Sequence, residues 1–236
     1  MLIKRDGEEW REPAVSSFLS ETALRDILAA SSRLLPKSTG PAVAVKELPV
    51  SSGSIDVAAV EPSGQVVLCE CKLDANPQSR RTVLGQLLSY AGAACQLDYD
   101  EFCERFARKL RRPLVDAMRA IADEEWDEDE FRESLGECLA TGNFRLVVVV
   151  DAITDELKNA VLYLNRHSAP GIEVLALELG YTRDGDIEIL VPTSYGEEVT
   201  PPKPPRNTWN ETGLFDVLEE GCSPAGLAAA GTCGDF

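Results

Sequence analysis

Histidine is nearly missing from this sequence, in which His167 is the only one among 236 residues. Metal centres held by several imidazoles are therefore excluded, and a Ser-His-Asp or Cys-His hydrolase would have to rest on that single ring. No run of about eighteen apolar residues occurs, and the opening MLIKRDGEEWREP has no apolar leader segment, so a soluble, cytoplasmic protein without membrane contact is expected. There is no G-x-x-x-x-G-K phosphate loop and no C-x-x-C pair. The seven cysteines are odd in number, and Cys69 and Cys71 fall inside an apolar run, so reduced thiols are expected rather than a disulfide framework or a zinc site. Positive charge is also short: 23 Lys and Arg stand against 40 Asp and Glu, a net charge of −17.

That deficit opposes a surface made for nucleic acid, which should be basic. It is, however, uneven. Residues 123–137, DEEWDEDEFRESLGE, carry nine acids and one arginine, about half of the net charge. Arg105, Arg108, Lys109, Arg111 and Arg112 form a basic run, and Arg80 and Arg81 open another segment. The basic run is either a solvated helix face or a phosphate-contact surface. The acidic stretch is either a solvated insertion or an element that binds a protein partner and restrains nonspecific binding.

With 44% hydrophobic residues the chain can bury one sizeable core. A helix is expected from Ser16 or Ser20 to about Leu35, with Phe18, Leu24, Ile27, Leu28 and Leu34 as its apolar stripe. Strands follow at 43–50, 55–60 and 66–72, then a helix at 79–95. Helices near 100–112, 114–122 and 128–140 make an insertion of about 98–142. FRLVVVVD, residues 144–151, reads as a strand buried on both faces. A helix at 154–167 and strands at 172–179 and 186–192 complete a first domain of residues 1–200. Residues 201–236 are rich in Pro and Gly and read as a tail, disordered in part beyond a short helix at 214–219.

The chemistry concentrates in residues 53–91. Pro62, Ser63 and Gly64 are turn formers between two apolar runs, so a hairpin is expected. With Ser63 at the centre of the turn, Asp56 falls opposite Glu70, where cross-strand side chains come within about 5 Å. Alternation puts Lys72 on the face of Glu70. Two acids and a lysine then meet at one end of an apolar hairpin. A charged pair on a surface hairpin is the plain explanation, but charges seldom sit inside buried strands unless paired or metal-bound. Mg²⁺ prefers carboxylate, carbonyl and water oxygens. Asp56, Glu70 and the Cys71 backbone carbonyl could supply three of these, with Mn²⁺ an expected substitute and Lys72 beside the attacking water.

Asp56, then thirteen residues, then Glu70-Cys71-Lys72, resembles the PD-(D/E)XK nuclease superfamily. Gln86-Leu-Leu-Ser-Tyr90 resembles the Q-x-x-x-Y motif of its RecB-like branches, and its glutamine and tyrosine share a helical face. Phe18-Leu-Ser-Glu21-x-x-Leu24 resembles the first helix of NucS-like and Holliday-junction-resolvase-like members. The resemblance covers residues 15–96 and, more loosely, 144–195. It implies a restriction-endonuclease-like αβββαβ core, an α/β fold whose mixed central sheet is flanked by helices, here with a helical acidic insertion and a C-terminal tail. It implies a Mg²⁺-dependent endonuclease acting on DNA, with RNA also open. Asp56, Glu70, Lys72 and Gln86 would be catalytic, and Asp56, Glu70 and Cys71 would hold the metal. Glu21 would be an added ligand or the mere surface of its helix. Arg80, Arg81 and Tyr90 would touch nucleic acid, unless Tyr90 only packs. A homodimer stays open. The rival expectation is a nuclease-like fold without catalysis, a scaffold or nucleic-acid-binding subunit that holds a partner through residues 123–137.

Overall fold

The computed structural model describes residues 3, 4, 7, 9–12, 20–38, 40–73, 77–168, 171–185 and 187–197, with the backbone alone for 77–81 and 184. Phe18, Ser16, the side chains of Arg80 and Arg81, and the whole of residues 201–236 lie outside this set. Six strands form one open mixed sheet in chain order: β1 (Val43–Val50), β2 (Gly53–Val60), β3 (Val66–Lys72), β4 (Arg145–Val150), β5 (Glu173–Asp184) and β6 (Ile187–Tyr195). The first three strands are antiparallel, β4 and β5 run parallel to β3, and β6 returns antiparallel. The molecule is thus α/β, with helices on both faces. Among the described residues no helix is long and apolar enough to cross a membrane.

Pairing follows from the turns. Gly64 sits at φ 81°, its amide donates to the Glu61 carbonyl at 2.9 Å, and the hairpin pairs Val57 with Cys69 through Val60 with Val66. That is the register expected from a turn centred on Ser63. Pairing with each other carries β5 and β6 past the expected 172–179 and 186–192, from Ala176 opposite Tyr195 to Asp184 opposite Ile187. The first helix is shorter than expected. As α1 it spans Glu21–Ala30, capped by the Ser20 hydroxyl accepting from the Ala23 amide at 3.1 Å, and a 3-10 turn at Ser32–Leu34 completes the segment.

Alternation along β4 sorts its apolar run onto two cores. Leu146, Val148 and Val150 join one cluster; Val147 and Val149 join the other. The larger cluster packs under α2 (Pro77–Ala94), α3 (Tyr99–Leu110), α4 (Leu114–Arg119), α5 (Glu128–Thr141) and α6 (Asp155–His167). The smaller lies under α1 through Leu24 and Leu28.

The acidic insertion is docked. Phe131, Leu135, Cys138 and Leu139 are buried on one side of α5, while Asp127, Asp129, Glu130, Glu133 and Glu137 face solvent. The Trp126 indole donates to the Pro62 carbonyl at 3.1 Å, tying the segment to the hairpin turn. A Cβ on Gly64 would lie 2.6 Å from the Leu135 nitrogen, so the turn and helix meet backbone to backbone. The basic run on α3 is partly neutralised within its own helix: Arg105 pairs with Glu101 and Arg108 with Glu104. Lys109, Arg111 and Arg112 are exposed. The cysteines among the described residues, Cys69, Cys71, Cys95, Cys103 and Cys138, are free thiols.

Candidate active site

Among the described residues, three polar side chains are buried: Ser32, Glu61 and Glu70. Two of them are satisfied. The Ser32 hydroxyl accepts the Ala42 amide at 3.0 Å, and Glu61 meets Arg145 at 2.6 Å. Glu70 differs. It is 6% exposed, and its Oε2 is buried with no hydrogen-bond partner. Burial, then the charges of Asp56 and Glu21, push its pKa up to about 8. An acid kept in such a place without a partner oxygen satisfied is costly unless another charge joins it.

The surroundings come from three elements. Alternation from Val66 and Leu68 turns Glu70 toward α2. There Gln86 lies beside the Tyr90 hydroxyl, near enough to bear on its charge. Burial and the charges of Glu70 and Asp56 raise the Tyr90 pKa, and the neighbouring Gln86 amide opposes them. Tyr90 also packs on the hairpin, because a Cβ on Gly53 would meet its ring at 3.0 Å. Packing and proximity to the acids are therefore joined in one side chain.

Asp56 occupies a break in the sheet. Ile55 belongs to the larger core and Val57 to the smaller, although a regular strand would send both to one side. The facing strand breaks at the same level. Lys46 pairs with Val57 and Leu48 with Ile55, so Glu47 stands opposite Asp56, and its φ is +53°. The ladder between β2 and β3 ends at Val57 and Cys69. One step on, Asp56 Oδ2 accepts the Cys71 amide at 2.9 Å and so takes the place of a main-chain acceptor. Burial raises the Asp56 pKa, the Cys71 amide and Arg25 lower it, and Glu21 and Glu47 raise it. Of Cys71, the amide is what meets Asp56; its thiol is buried in the smaller core.

α1 brings the remaining charges. Glu21 and Arg25 are four apart and share a helical face. Glu21 Oε1 accepts from Lys72 Nζ at 2.6 Å and from the Leu73 amide at 3.4 Å. Arg25 Nη1 donates to Asp56 Oδ1 at 3.0 Å and to Glu47 Oε1 at 3.3 Å. Arg25 and Glu47 are residues that motif reading passed over. The four-residue spacing from Glu21 offered a hint of Arg25, but nothing local distinguishes Glu47 from any acid in an edge strand.

The structure thus gathers Asp56, Glu70, Lys72 and Glu21 of the expected set, with Gln86 and Tyr90 along one side. Four carboxylates, counting Glu47, stand with two cationic side chains, an excess of two negative charges once all four acids are ionised and of one while Glu70 keeps its proton. Among the described residues no three His, Cys, Asp or Glu side chains stand close enough to form a ready metal cage. Asp56 and Glu21 are held by Arg25 and Lys72, so binding a cation here is an exchange of partners. The orphaned Glu70 oxygen and the all-oxygen donor set fit a hard divalent ion. Comparisons with family models, curated proteins and solved structures gave no match.

Proposed function

We propose that this chain is a divalent-cation-dependent phosphodiester hydrolase acting on DNA, an endonuclease whose α1-β1-β2-β3-α2-β4 segment is a restriction-endonuclease-like core. The observation that carries the reading is Glu70: a buried, partly unpartnered carboxylate beside a second one, with Lys72 two residues along the strand. Asp56 and Glu70, with Glu21 beside them, would hold Mg²⁺ or Mn²⁺, which supplies neutralisation of phosphate charge and a more acidic water.

The chain's own groups account for the rest. Lys72, held by Glu21 at 2.6 Å, carries its ammonium at the end of β3, where it can orient a water and stabilise developing negative charge. Gln86 supplies an amide that can hold the water or a phosphate oxygen, and Tyr90 braces it. Arg80 and Arg81, at the start of α2, are the proposed contacts to the nucleic-acid backbone. RNA is the alternative substrate with the same phosphodiester chemistry.

The test is cleavage of labelled duplex, single-stranded, mismatched and branched DNA, and of RNA, with Mn²⁺ or with chelator. Cation-dependent cutting of any of them that is lost in Glu70→Gln supports the reading. No cutting of any, with no stabilisation by Mn²⁺, overturns it.

One observation favours a second reading. The pairing of Asp56 with Arg25, and the lack of a ready cage among the described residues, would also suit a subunit that does no catalysis. In that case the exposed acids of residues 123–137 would hold a protein partner.

A further inference from the structure

Arg25 divides one nitrogen between two acceptors. Its Nη1 lies 3.0 Å from Asp56 Oδ1 and 3.3 Å from Glu47 Oε1, while its Nε is buried with no hydrogen-bond partner. The guanidinium is therefore incompletely bonded where it stands, and a second seat is already in reach. That seat is unusual. Glu47 lies inside β1, yet its backbone is left-handed at φ +53°, a conformation that non-glycine residues adopt in strands only where something over-determines it. This backbone sets Glu47 opposite Asp56 in the register and turns its carboxylate to Arg25. Asp56 is mostly covered, with 16% of its side chain exposed, whereas Glu47 is 61% exposed. A cation moving from the first acid to the second goes from the covered acceptor to the solvated one.

We propose that Arg25 is the displaceable resident cation of this site: it holds Asp56 when no divalent ion is bound, yields it to the ion, and withdraws onto Glu47. Arg25 and Glu47 are positioning residues; neither touches the reacting atoms. The proposal rests on the cation-site reading above and adds an ordered exchange to it. It accounts for the bent backbone of Glu47, for the shared Nη1, and for a site whose acids do not stand as an open cage.

The exchange predicts a coupling between the two residues that independent charges would lack. Mn²⁺ dissociation constants are measured calorimetrically on the full chain for wild type, Arg25→Gln, Glu47→Gln and the double variant. Melting in chelator reports whether each one folds. Arg25→Gln should bind Mn²⁺ about tenfold tighter, and Glu47→Gln several-fold weaker. In the Arg25→Gln background, Glu47→Gln should change the constant by less than about twofold, because there is no cation left to receive. If the two effects simply add, each acts only as a charge and the proposal is overturned. Should Arg25→Gln not fold, Arg25→Lys keeps the charge but loses the planar guanidinium whose Nη1 reaches both acids, and it too must bind Mn²⁺ tighter than wild type. An unchanged constant there overturns the exchange. Additive effects with Mn²⁺ bound remove the exchange and leave the cation site standing. Absence of Mn²⁺ binding in wild type and every variant removes both.

Discussion

Asp56 accepts the backbone amide of Cys71 at 2.9 Å, so one carboxylate closes the end of a β-ladder and also faces the candidate site. The two duties separate by substitution. Asp56→Asn keeps a side-chain oxygen for the amide, should fold normally, and should lose the rise in melting temperature that Mn²⁺ gives by mass action. Asp56→Ala leaves the Cys71 amide unpaired and should cost about 1–3 kcal/mol in chelator. Denaturant unfolding with and without Mn²⁺ checks both. A full Mn²⁺ response in Asp56→Asn removes Asp56 from the ligand set.

Glu70 makes stability depend on pH in a stated direction. Its carboxyl titrates near 4.5 when unfolded and is pushed up to about 8 in the fold, so between these values the folded chain holds the extra proton. Stability present below the lower value is therefore lost as pH rises toward the upper one. Glu70→Gln removes that loss. Melted in chelator across this window, it should decline less than wild type and be the more stable of the two at the alkaline end. Superimposable profiles would show that Glu70 does not carry the strain.

Much of this arrangement was legible in local pattern. A turn at Pro62, Ser63 and Gly64 between apolar runs was enough to fix the register that sets Val57 on Cys69, but the ladder stops there, one step short of the expected Asp56–Glu70 pair, and Asp56 meets the Cys71 amide instead. The unbroken apolar run of residues 146–150 matched a strand packed on two cores. The helices at 128 and 155 start where expected, and α1 at one of its two expected starts, because N-caps such as Ser20, Asp127 and Thr154 are written in the chain, whereas α1 ends short of the expected Leu35. Arg25 and Glu47 were not legible. Their roles arise from a helix crossing a strand pair, and a left-handed residue inside a strand leaves no sequence signature unless it is glycine. The pairing of Lys72 with Glu21 spans 51 residues and had the same cause.

The acids of residues 123–137 bear on nucleic-acid affinity. Most point to solvent from a segment whose other side is buried, so they can be changed without opening the core. Replacing Asp123, Glu124, Glu125, Asp129, Glu130 and Glu133 by Gln or Ser should tighten DNA binding at low salt and steepen its salt dependence. Equal affinity and slope before and after would mean that this surface is only solvated.

The most direct measurement is the cleavage rate of Lys72→Ala beside its Mn²⁺ and DNA affinities. The Lys72 pair with Glu21 is partly exposed, so its loss should cost no more than about 1 kcal/mol of stability. Both Asp56 and Glu70 stay in place, and with a neighbouring positive charge gone Mn²⁺ should bind as well or better. DNA affinity should fall little, since one lysine is about one phosphate contact. Cleavage should fall on the order of a hundred- to a thousandfold, about 2.7–4 kcal/mol of transition-state stabilisation. Lost cleavage with cation and DNA binding retained is the predicted result. If wild type cuts nucleic acid and Lys72→Ala cuts it equally fast, the site at the end of β3 is not where the chemistry occurs.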